Sequence, residues 1–175
     1  MRLTLLVVFL ALLPAIAAGQ ELPSGFSTGP VIEAYGPVAD VPGAAALPPD
    51  AVFRVAFDTA AAAEAGQLNR TLVSAARFLN MHARAGIDPS NLHVAVVIHG
   101  GAGLDVAQHA NEESNLNEAL IAELLQHNVE IHVCGQSAAY HGVTSDDLLP
   151  GVGMSLSAMT AHAQLQQSGF TLNPF

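Results

Sequence analysis

Apolar and polar residues alternate most clearly in VFRVAFDT, residues 52–59, where Phe53, Val55 and Phe57 fall on one face and predict a β-strand. The period then changes: Leu68, Leu72, Ala75, Ala76, Leu79 and Ala83 recur at three and four and predict a helix over residues 64–85, stopped by Gly86. LHVAVVIH, residues 92–99, is almost continuously apolar, as in a strand covered on both faces of a parallel sheet. Gly100, Gly101 and Gly103 break it. A second helix is expected from a Ser114 cap through Leu116, Leu120 and Leu124 to Asn128, a residue that tolerates the left-handed conformation. VEIHVC, residues 129–134, reads as a third strand. Beyond it the pattern predicts a loop or short helix to Gly142, a helical turn over 144–149 and a short strand over 152–155. A helix capped by Ser157 and ended by Gly169, then a final strand over 170–173, complete it. Strands alternating with helices imply parallel crossovers, so residues 51–175 are expected to form a three-layer α/β/α domain with a parallel sheet of about five strands.

The preceding segments break this pattern. Six prolines (Pro23, Pro30, Pro37, Pro42, Pro48, Pro49) punctuate residues 20–50, which excludes helix and central strand. Because Phe26, Val31, Ile32, Tyr35 and Val38 are interleaved with them, the expectation is an extended arm lying over the domain or over a neighbouring subunit; the alternative is a flexible tether. Residues 1–19 begin with Arg2, continue with an apolar run from Leu3 to Leu13, and end in Pro14 and small residues. That is the pattern of a secretory signal peptide cleaved after Ala17 or Gly19. The run is shorter than the roughly 20 residues a membrane span needs, so an exported, periplasmic or secreted protein is expected, with no membrane association after cleavage.

Charge and cysteine usage narrow the function. Five basic residues, all arginine, against fifteen acidic ones give a net charge of −10, which excludes nucleic acid and anionic lipid surfaces as partners. Cys134 is the only cysteine, so no intrachain disulfide supports the exported fold, which must be stabilised by its core.

In a parallel sheet the reactive positions collect at the carboxyl ends of the strands. Two such ends carry candidate chemistry: His99 followed by Gly100 and Gly101, and Cys134 followed by Gly135. Cys134 is a candidate nucleophile or sulfur carrier, or alternatively a buried packing residue. His132 and Cys134 share a strand face and His99 is expected nearby, so a zinc or copper site is an alternative reading of these three; the spacing matches no standard zinc pattern, and no metal or other cofactor is expected. Gly100-Gly101-Ala102-Gly103 lacks the spacing of a phosphate cradle and reads as a tight turn. Gly135-Gln136-Ser137-Ala138-Ala139 lacks the last glycine of a serine-hydrolase elbow. Arg70, Arg77 and Arg84 recur every seven residues, a stripe read as a solvated face or, secondarily, as an interface with another subunit.

The runs HVAVVIHGGAG, VEIHVCGQSAAYHGV and DDLLPGVGMSLSAMTAHAQLQQSGFTLNPF resemble the DsrE/DsrF-like family, in its small exported branch, over residues 31–175. The resemblance implies a DsrEFH-like fold and a homo-oligomer, a trimer or hexamer. In sulfur-relay members the cysteine ending this strand carries a persulfide, and the matching residue is Cys134. The implied role is therefore that of a sulfur carrier or sulfurtransferase-like protein with a sulfur donor or acceptor as partner. His99, His132 and His141 are then candidate tuning groups, and Gly100, Gly101 and Gly135 candidate pocket backbone. The alternative is a noncatalytic oligomeric module that binds a small ligand or protein, with a structural cysteine. Basic residues that relay members place before the glycine are replaced by Tyr140 and His141, so the thiol is expected to lack cations and to have a raised pKa.

Overall fold

A computed structural model describes residues 22–108 and 114–174. The segment read as a signal peptide lies outside the described residues. Two short strands, β1 (Phe26–Ser27) and β2 (Val38–Ala39), pair antiparallel. Then follow β3 (Phe53–Thr59), α1 (Arg70–Arg84), β4 (Leu92–Ile98), α2 (Glu118–Gln126), β5 (Glu130–Cys134), α3 (Gly135–His141), β6 (Gly153–Ser155), α4 (Ala158–Gln167) and β7 (Thr171–Asn173). The last five strands form one parallel sheet in the order β6-β5-β4-β3-β7, with helices on both faces. This is the expected three-layer α/β/α architecture.

Sheet order decides what covers each face. From β3 to β6 every step goes to the next strand in one direction, and right-handed crossovers place their helices on one side. There α1 and α2 bury Leu72, Leu79, Leu120 and Leu124 against Val55, Phe57, Val94, Val96, Ile131 and Val133. The step from β6 to β7 crosses back over the sheet, so α4 lies on the opposite face. It packs Ala161 and Leu165 on Ala56, Ala95 and Val97, where two alanines let the helix approach closely. β4 is buried on both faces, which explains its unbroken apolar run.

Two helices begin later than periodicity predicts. α1 starts at Arg70 because Asn69, in extended backbone, caps it by accepting from the Thr71 and Leu72 amides. Asn69 is itself held by Asp105 and Asn117, and residues 60–68 turn in front of it. α2 starts at Glu118, not after Ser114, because the Asn115 carboxamide accepts from the Asn117 amide and donates to the Asp105 and Ala107 carbonyls; Leu116 is left exposed. Asn128 has φ 59°, the left-handed conformation expected of it.

Residues 22–50 lie along α1. Val31 and Ile32 are buried, and Asn80 in mid-helix binds the backbone around them. The arginine stripe resolves in part as a contact within the chain: the Arg84 guanidinium donates to the carbonyls of Ser27, Thr28, Gly29 and Val38. Gly36, at φ 64°, passes so close to α1 that a Cβ would come 2.5 Å from the Arg77 nitrogen.

Candidate functional site

Between β5 and β6 the chain leaves the sheet toward opposite faces. α3 follows β5 and buries Ala138 in the core on the α1 side, whereas α4 follows β6 and packs on the other side. A crevice opens outside the carboxyl ends of adjacent strands at such a switch point. Cys134, the last residue of β5, stands opposite Ser155, the last of β6. The approach is tight: a Cβ on Gly135 would come 2.8 Å from the Ser155 carbonyl oxygen.

Strand alternation turns Cys134 away from Val133 and toward the α4 face. Ile98 pairs with Val133, so one step further His99 is level with Cys134 on the neighbouring strand, about 4.8 Å across the sheet. Asp58, near the end of β3, and His162, on α4, complete the wall. Together with Gln136, Ser157, Ala158 and Met159, these four side chains line an open cavity of about 310 Å³.

Burial pushes the Cys134 thiol pKa up, but the Ser137 hydroxyl and the backbone amides of Ser137, Ala158 and Gln136 more than offset it, leaving the thiol below its ordinary value. The expected upward shift is therefore corrected. Cations are not needed, because neutral donors in the first turns of α3 and α4 converge on the sulfur. Gly100 contributes to this arrangement. Its amide donates to Ser137 Oγ at 2.9 Å, leaving the hydroxyl proton for the thiolate. Gly100 has φ 53°, and a Cβ there would come 2.9 Å from the Ala60 carbonyl oxygen, so glycine is required.

Asp58 accepts from two histidines. His162 Nε2 is 2.7 Å from Oδ1 and His99 Nε2 is 3.1 Å from Oδ2. Burial raises the Asp58 pKa, but the hydrogen bonds from His162 and His99 and their charges outweigh it, so the carboxyl ionises below its ordinary range.

The other residues singled out from sequence are placed differently. His132 shares the Cys134 face, but its ring contacts Glu130 at 3.2 Å and Ser155 at 3.5 Å and does not line the cavity. His141 ends α3 and stacks edge-on against Tyr140. Gly101 lies in a 3-10 helix over Gly100–Val106 that packs on the turn at Ala60 and Ala62, not around a ligand cradle. Among the described residues no group of three or more His, Cys, Asp and Glu side chains is arranged to hold a metal ion. Sequence pattern does not reach Asp58 and His162; the one available signal is a carboxylate one residue before the end of a largely apolar strand.

A parallel five-stranded α/β domain with a single thiol in its strand-end crevice defines the class of protein. Within that class, the model of the DsrE/DsrF-like family matches residues 50–174, and the chain belongs to this family. Solved structures with the same fold include a protein of unknown function, MTH1491, from Methanobacterium thermoautotrophicum, at 20% identity and TM-score 0.56, covering 70% of this chain and 99% of that one. The ychN protein from E. coli is similar at 17% identity and TM-score 0.52, covering 71% of this chain and 100% of its own. No curated protein matches the sequence.

Proposed function

We propose that the chain is a sulfur carrier in which Cys134 accepts sulfane sulfur as a persulfide and passes it to an acceptor thiol. The observation that carries this reading is the environment of the sulfur: a strand-end crevice in which a hydroxyl and three amides converge on Cys134 and lower its pKa. Thiolate is the reactive form in sulfur exchange, and membership of a sulfur-relay-related family supports the same assignment. We further propose that the protein is exported and works as a homo-oligomer, trimer or hexamer. The exposed Leu156 and Met159 beside the crevice, and Tyr140 near the end of α3, are apolar surface of the kind a subunit covers.

One observation favours the rival reading, a binding module with a structural cysteine: Cys134 as a residue is only 6% exposed. The two readings separate in one measurement. Native protein is treated with inorganic polysulfide and weighed intact, with and without prior alkylation. A sulfur carrier gains one sulfur on Cys134, and the gain is lost in Cys134→Ser. A thiol that gains none, and that alkylates only after unfolding, leaves the binding module as the surviving reading.

A further inference from the structure

We propose that His99, held by Asp58, donates the proton to the thiol that departs when Cys134 takes up sulfur; Asp58 is then a positioning residue and His162 its second anchor. This inference rests on the sulfur-carrier reading above.

An ionised carboxylate can only accept hydrogen bonds, so both imidazoles in contact with Asp58 present Nε2–H to it. That leaves each ring its Nδ1. His162 Nδ1 is buried and without a partner among the described residues, so it exchanges no proton with the cavity. His99 differs. Its side chain is 32% exposed, it lines the cavity beside Cys134, and its Nδ1 makes no hydrogen bond among the described residues. A carboxylate on one nitrogen fixes the ring and stabilises the imidazolium while the other nitrogen handles the proton.

Every titratable group facing Asp58 fits this assignment. The neighbouring strands and helix supply His99 after β4, Cys134 at the end of β5 and His162 from α4. β3 itself presents Arg54 to the same face at its opposite end, level with His93 of β4, and β5 adds Glu130 and His132, which contact each other. β7 brings only Thr171, Leu172 and Asn173.

Sulfur uptake requires such a proton. The Cys134 thiolate attacks the outer sulfur of a donor R–S–SH, and its lone pair forms the new S–S bond. The donor's own S–S bond breaks, and its electron pair leaves on R–S. Proton transfer from His99 Nδ1–H converts that leaving group to R–SH, and the protein is left with Cys134–S–SH and neutral His99. Charge and electrons balance without an external oxidant or reductant. For an alkanethiol, whose pKa is about 8.5, general-acid assistance is worth on the order of 10²-fold or more.

Two probes separate the roles. An aromatic disulfide, whose leaving thiolate needs no proton, reads thiolate formation and access alone; glutathione persulfide, with an alkyl leaving group, reads uptake by intact mass. In His99→Gln we expect aromatic-disulfide labelling within about threefold of the parent and persulfide uptake slowed by about 10²-fold. In Asp58→Asn persulfide uptake falls about tenfold while aromatic-disulfide labelling stays near that of the parent; Asp58→Glu restores part of the uptake, an outcome a merely structural carboxylate does not give. If both His99→Gln and Asp58→Asn take up persulfide sulfur as the parent does, the inference is overturned while the carrier reading stands. If the parent itself gains no sulfur, the carrier reading fails and the inference falls with it.

Discussion

Asn80 joins the proline-rich arm to the domain, and its removal has a calculable consequence. The side chain is fully buried in mid-helix. Its Oδ1 accepts from the Val31 and Ile32 amides at 3.1 and 2.8 Å, and its Nδ2 donates to the carbonyls of Ile32, Tyr35 and Gly36 at 3.0, 3.0 and 3.1 Å. One carboxamide thus satisfies five backbone groups in a segment whose prolines prevent regular secondary structure. The two Nδ2 hydrogens are shared among three carbonyls, so at about 1 kcal/mol net per hydrogen bond the set is worth roughly 4 kcal/mol. Release of the arm to water caps the loss, so Asn80→Ala is expected to cost about 3 kcal/mol in guanidinium unfolding. Asn80→Asp has the same shape and leaves no cavity, yet at neutral pH it sets a carboxylate oxygen against three carbonyls and is expected to cost more. Such a carboxyl has a raised folded pKa, so its deficit shrinks as pH falls through that value and the acid becomes a donor. Limited proteolysis between residues 29 and 47 reports arm release independently. An Asn80→Ala variant within about 0.5 kcal/mol of the parent, with unchanged proteolysis, refutes the argument.

Three further outcomes follow from the site. Ser137→Ala removes a donor to the Cys134 thiolate, so the pH midpoint of iodoacetamide labelling moves upward and labelling near neutral pH slows several-fold; a midpoint that does not move removes Ser137 from the site. Gly135→Ala forces a Cβ to 2.8 Å from the Ser155 carbonyl; separating β5 from β6 there is expected to cost about 1–3 kcal/mol, read as a shift in denaturant midpoint. Asp58 has a folded pKa lowered from its ordinary value, so its contribution is fully present above about pH 4 and is lost as pH falls through the folded value. The carboxyl is partly exposed, so Asp58→Asn is expected to flatten the acid limb of stability against pH by no more than about 1 kcal/mol, and an unchanged limb contradicts the ion-pair assignment.

Local pattern reveals the elements of this protein because each covered face imposes its own period. The unbroken apolar run of β4 announces burial on both sides, and Gly100 and Gly135 mark where strands end. These signals place His99 and Cys134 near each other. They do not reach Asp58 and His162, which are 104 positions apart. Those two meet only because the chain crosses from β6 to β7 and carries α4 over β3, a fact of sheet order that no window of sequence contains. Composition misleads on the thiol pKa for a related reason: it counts charged side chains, whereas the groups that stabilise Cys134 are backbone dipoles and one hydroxyl, oriented only after folding. Periodicity starts the helices too early because Asn69 and Asn115 take their roles from partners outside those helices.

The same sheet order ties packing to chemistry. α4 has no companion helix among the described residues on its face, so its distance from the sheet is set by the side chains beneath it. Ala56 and Ala95 are the smallest of these, and both are buried. That close approach is what brings His162 within 2.7 Å of Asp58, and Asp58 in turn holds His99 beside Cys134. Lifting α4 by the width of a methylene lengthens that hydrogen bond and at the same time withdraws the Ala158 amide from the Cys134 sulfur. Ala95 is therefore a site residue by way of packing: it has no polar atom to offer, yet its small volume sets the geometry through which Asp58 and His99 act.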